Sequence, residues 1–104
     1  MRIAAALLMF ILSTTSASAE MIGALLVADD SDCRSGHMVF STNFGFVNAE
    51  WFGGVFTEGQ LYLGEFHSYG MTDVYDESGD EVGRLWVDDF WVSNHDASEF
   101  CYRD

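Results

Sequence analysis

Apolar residues fall in short bursts along this chain, cut by polar turns, except at the very start. There Ile3 to Leu12 (IAAALLMFIL) is an unbroken apolar run behind Met1-Arg2, followed by small polar residues ending in Ala17-Ser18-Ala19. A charged start, a short apolar core and an Ala-x-Ala end mark a secretory signal cut before Glu20. An uncleaved anchor would need an apolar core on the order of 18 residues. The pattern therefore divides the chain into a signal at 1–19 and one small domain at 20–104. It places the product in the periplasm or outside the cell, without membrane insertion after cleavage.

Beyond the signal the bursts have strand length. Met21 to Ala28 (MIGALLVA) reads as a first strand, apolar enough to be buried on both faces. Asp29 to Gly36 is a polar loop carrying Cys33. His37 to Ser41 and Phe44 to Asn48 are short strands around a tight turn at Thr42-Asn43. Phe52 to Phe56 and Leu61 to Phe66 suggest a hairpin across Thr57-Glu58-Gly59, a Gly-containing connection of hairpin length. Met71 to Tyr75 and Val82 to Val87 suggest a second hairpin. Its loop runs from Asp76 to Glu81, with Gly79 available for a positive-φ position. After Val92 the period changes. Ala97, Phe100 and Cys101 recur at helical spacing, Ser93 or Asn94 can cap, and Asp96 and Glu99 suit the early turns. The expected fold is mainly β: a small antiparallel meander of five or six strands, or a partly closed barrel, with one short C-terminal helix.

Composition sharpens this picture in three ways. Aromatic residues make up 15% of the chain, enough to build a core and too many for an acidic disordered segment. Cys33 and Cys101 are the two cysteines. In an oxidising compartment they are expected to bond, because their wide spacing is unlike a catalytic Cys-x-x-Cys pair. Closing a loop of about 68 residues would be worth roughly 4 kcal/mol in the chain-entropy picture. Finally, 17 Asp and Glu stand against 4 Arg, and no Lys is present. That charge disfavours nucleic acid and anionic membranes, and favours a basic protein or a cationic ligand as partner. If the charge serves a partner, the acids should gather, with Asp73 to Glu81 and Asp88-Asp89 on one negative face. If it serves solubility, they should scatter.

Candidate chemistry concentrates at Leu85 to Val92 (LWVDDFWV), where two adjacent carboxylates interrupt large apolar residues. A straight strand would turn one Asp inward, at high cost unless it is paired. A bulge or turn is therefore expected, with Arg84 as a partner or Asp89 bonded to the backbone that follows. Trp86 and Trp91 with Asp88 and Asp89 form the candidate ligand- or partner-binding set: flat walls and a polar contact, as small-ligand sites use. The two Trp should differ in role, one core and one outside, unless a bulge resets the alternation.

Other chemistry is thinly supported. Asp73 to Glu81 offers oxygens for calcium, but counting from Asp76 the sixth position is Glu81, where the EF-hand turn requires Gly. Asp29-Asp30-Ser31-Asp32 fails likewise. His37, His67 and His95 lack metal-ligand spacing. No Gly-x-Ser-x-Gly elbow supports a hydrolase. Adjacent strand carboxylates point apart, so they do not make a glycosidase pair. No catalytic residue, metal site or cofactor is assigned. The expected role is a small monomeric, non-catalytic binding protein that docks a basic partner through its acidic surface, such as an inhibitor of a basic secreted enzyme. The alternative is a small-ligand or calcium-binding domain built on the Asp/Trp groove.

Overall fold

A computed structural model describes residues 20–102. The expected signal and cleavage site lie outside these residues. Six strands form a closed antiparallel barrel: β1 (Ile22–Ala28), β2 (His37–Thr42), β3 (Gly45–Gly54), β4 (Leu61–Gly64), β5 (Gly70–Tyr75) and β6 (Glu81–Val92). Among the described residues one helix, α1 (Asn94–Tyr102), follows. Around the barrel the order is β1-β2-β3-β6-β5-β4, with β4 returning to β1. Closure joins the two ends of the sheet, with β4 and β5 meeting at one register pair, Leu63↔Tyr75, and so shortens the open edge that is the usual liability of a small β protein. Among the described residues no helix is long and apolar enough to cross a membrane.

The interior is built by period-2 alternation. Ala24 and Leu26 of β1, Met38 and Phe40 of β2, Val47 and Ala49 of β3, and Leu85 and Val87 of β6 are all buried. Tyr62, Phe66 and Val74 complete the core. Tyr62 is buried, and its hydroxyl accepts the Thr57 N–H at 2.7 Å. The expectation that the first strand is buried on both faces is corrected: Leu25 and Val27 lie on the exposed side of β1. A closed barrel with a single covering helix leaves most outer faces in water.

Pairing follows the expected second hairpin and overturns the first. β5 and β6 pair across a loop in which Asp76 Oδ1 accepts the Ser78 and Asp80 N–H groups, with Gly79 at φ 90°. The proposed hairpin of Phe52 to Phe56 with Leu61 to Phe66 does not form. Residues 45–54 are one continuous strand that pairs with β6, while β4 pairs with β1 and β5. The expected strands end at Asn48 and resume at Phe52, with Asn48 at the edge of that break and Glu50 within it. Both polar residues sit on the outer side of an unbroken strand, alternating with Val47 and Ala49.

β6 bends twice. Asp88 has no register partner between Ala49↔Val87 and Asn48↔Asp89, and Trp91 has none between Val47↔Phe90 and Phe46↔Val92. Each is the extra residue of a bulge. Trp91 adopts φ 58°, the one positive value outside glycine among the described residues. The first bulge explains how two carboxylates fit inside an apolar strand. Without it Asp89 would follow Leu85 and Val87 inward; with it Phe90 packs against the core instead.

The chain end lies on the outside of β2 and β3. Ser93 Oγ accepts the Asp96 N–H at 3.1 Å, the expected N-cap. Ala97 and Cys101 of α1 are buried against Val39, and Phe46, Val92 and Phe100 border this second apolar cluster. The Cys33–Cys101 disulfide ties α1 to the loop after β1, as expected.

Candidate functional site

The residues singled out in the sequence do not converge on one groove. Trp86 lies on the outer face of β6, 42% exposed, with its ring 6.4 Å from that of Phe52. Trp91 faces elsewhere: its ring contacts are Phe44 at 5.0 Å and Phe90 at 5.4 Å, and it packs against the core. The two Trp therefore play different roles, and they are not two walls of one site. Asp89 accepts the Phe90 N–H at 2.9 Å, the local backbone bond expected of it, and the Tyr69 hydroxyl lies 3.4 Å away. Arg84 partners neither Asp; it pairs with Asp73 at 3.1 Å across β5 and β6. Both side chains of that pair are largely exposed, so it contributes about 0–1 kcal/mol.

Asp88 is the unusual member of the set. Its Oδ2 is buried and receives no hydrogen bond. Its carboxyl is pushed up to about 7, first by burial, then by the hydrogen bond its protonated form can give Glu50, then by the Glu50 and Asp89 charges. A carboxyl raised in the folded state contributes stability that is fully present below its ordinary value of 3.8. That contribution is lost as pH rises through about 7. Asp88→Asn removes this dependence. Relative to the wild type, the variant should gain thermal stability steadily between about pH 4 and pH 8. Thermal melts across that window check it, and a constant offset between the two proteins would contradict it.

A second concentration of charge emerges only from the topology. In an all-antiparallel barrel the connections after odd-numbered strands share one end. Loops 29–36, 55–60 and 76–80 therefore lie together. They carry Asp29, Asp30, Asp32, Glu58, Asp76, Glu77 and Asp80 against one arginine, Arg34. The connections at the other end, 43–44, 65–69 and residue 93, contribute Glu65 alone. The loop acids thus gather at one end, though not as the sequence suggested, while Glu20, beside the 43–44 turn, and Asp96, in the first turn of α1, lie toward the other end. The β5–β6 loop joins the loops after β1 and β3, while Asp88 and Asp89 lie toward the opposite end.

The carboxylates at this end crowd one another. Oxygens of Asp29, Asp32 and Glu58 all lie within 4.8 Å of each other. Glu58 is raised above its ordinary value by its hydrogen bond with Asp32, by desolvation and by the Asp32 and Asp29 charges. Asp29 is lowered, because its Oδ1 accepts both the side-chain hydroxyl and the N–H of Ser31.

Between the loops after β1 and β3 the barrel opens into a cavity of about 290 Å³. Trp51 and Phe56 line it, Met38 lies at its inner side, and Asp29 and Asp30 border it. Trp51 is there for a register reason. It continues the inward row Val47, Ala49, but β3 runs past the closed core, leaving the ring at the mouth and 49% exposed. Its Nε1–H donates to the Gly54 carbonyl at 3.0 Å, which fixes the indole. Sequence reasoning did not select Trp51 or Phe56. The available signal was strand parity, and dividing β3 into two strands left Trp51 between them with no face assigned. No protein-family model, curated protein or solved structure matches the chain.

Proposed function

We propose that this chain is an exported, non-catalytic docking protein that binds a basic partner on the acidic end of its barrel. The observation behind this reading is the gathering of seven loop carboxylates against one arginine at a single end. Crowded carboxylates repel one another, and Glu58 is raised first by its hydrogen bond with Asp32, then by desolvation and by the Asp32 and Asp29 charges. A cationic surface laid over them relieves that repulsion, and the field of the acidic end steers its approach. A basic secreted enzyme is one such partner, which the domain would inhibit by covering its surface.

The test uses a defined lysine-rich peptide. Its affinity should fall steeply as salt rises from about 50 to 500 mM, where the Debye length shortens from roughly 14 to 4 Å. Neutralising Glu58, Asp76 and Asp80 to their amides should weaken binding far more than neutralising Glu65 and Asp89. Equal losses from the two sets would overturn the reading. A melting shift with calcium, reversed by a chelator, would instead favour cation binding, placed at Asp29, Asp32 and Glu58 rather than at the Asp/Trp groove expected from the sequence.

A further inference from the structure

We infer that the cavity at the acidic end is a binding site for a small free amine with an apolar, preferably aromatic, body. The inference goes beyond the docking reading and does not depend on it. It starts from the order of chemistry along the cavity. At the inner side lies Met38, 3% exposed and part of the barrel core. Next come the Trp51 and Phe56 rings. At the opening lie Asp29, half-buried, and Asp30, exposed, the only charged residues lining the cavity among the described residues.

That gradient selects orientation. An amine entering with its apolar end first places that end on Met38 and its body against the two rings. Its ammonium is left beside the carboxylates, still partly hydrated. A lysine side chain from a docked protein would enter in the opposite sense and set its ammonium on Met38, where no acceptor waits, so the desolvation cost would go unmet. The aromatic walls add attraction for a cation near the ring faces. They are partly set in advance, since the Trp51 indole is held by Gly54 and the Phe56 ring packs 5.2 Å from Tyr62. The volume, about 290 Å³, suits a ligand of one ring and a short chain.

The probe is 2-phenylethylamine, compared with the neutral 2-phenylethanol, and the readout is the indole N–H resonances of Trp51, Trp86 and Trp91. The amine should shift the Trp51 signal saturably, with the alcohol about tenfold weaker. Asp30→Asn should weaken the amine severalfold toward the affinity of the alcohol, Asp29 keeping part of the difference, without changing the melting temperature. Trp86→Ala should leave binding unchanged. No saturable Trp51 shift, equal affinity for amine and alcohol, or a shift centred on Trp86 or Trp91 would each overturn the inference. If the lysine-rich peptide still binds in a salt-sensitive way while the amine does not, the docking reading survives and this one falls.

Discussion

Replacing Cys33 and Cys101 together by Ser is expected to cost about 2–5 kcal/mol of stability. The bond spans 68 residues of sequence, so it restricts most of the described chain when unfolded. It also holds a small structure in place. α1 is nine residues long, too short to persist alone in water. Its buried contacts are few: Ala97 and Cys101 meet Val39 and Cys33 outside the barrel. Without the bond, α1 and the 29–36 loop should loosen first, while the barrel core around Phe40, Tyr62 and Leu85 keeps its packing. For a domain this small each kcal/mol moves the melting temperature by about 4–8 °C. The drop should therefore be at least about 8 °C, and reduction of the wild type should reproduce it. Thermal melts with and without reductant measure this. A double variant that melts within a degree or two of the wild type would show that the barrel alone sets stability.

Gly54→Ala should be as damaging, through backbone contact rather than entropy. Where β3 ends, its backbone passes so close to β6 that a Cβ on Gly54 would lie 2.1 Å from the Val82 carbonyl oxygen and 2.4 Å from Gly83 Cα. Both obstacles are backbone, so no side chain can swing aside. Gly54 also holds φ 94°, a region costly for any residue with a Cβ. Backbone strain of about 1–3 kcal/mol adds to overpacking of about 1–3 kcal/mol. A loss of about 2–6 kcal/mol follows from the two together. Gly59→Ala is the control. Its φ is 91°, but nothing lies within 4 Å of its Cβ position, so only the backbone component should remain, about 1 kcal/mol. Chemical denaturation of both variants separates the two effects. Equal losses would mean that the β3–β6 approach gives way easily. Because Gly54 also receives the Trp51 indole bond, the same variant should disturb the cavity mouth.

Some of this protein was legible in the amino-acid order because the relevant interactions are local. The β5–β6 hairpin is marked by a loop whose Asp76 and Gly79 make the turn. The cap of α1 is Ser93 acting three residues ahead, on Asp96. The bulge at Asp88 follows from two carboxylates inside an apolar run, since the cost of burying one is the same in any fold. The Cys33–Cys101 bond needed only that two cysteines exist and that the chain is read as exported.

The site was less legible, because it depends on which strands lie side by side. Asp88 and Trp86 were noticed for their sequence context, yet the neighbour that perturbs Asp88 is Glu50, on a strand nearly forty positions earlier. Alternation says which residues of β3 face inward; it does not say that β3 pairs with β6 rather than with β4. That choice is made when six strands bury their inner faces at once and close on one another. Closure then sets strand parity, and parity brings together the loops at 29–36, 55–60 and 76–80. Thus the chain order by itself determined the mainly β character, the cap, the bulge and the cross-link. Only the closed barrel decided that three separate acidic loops share one end, with Trp51 at the opening between them. The physical reason is that charge and aromatic surface at a loop cluster depend on long-range pairing, which no local period encodes.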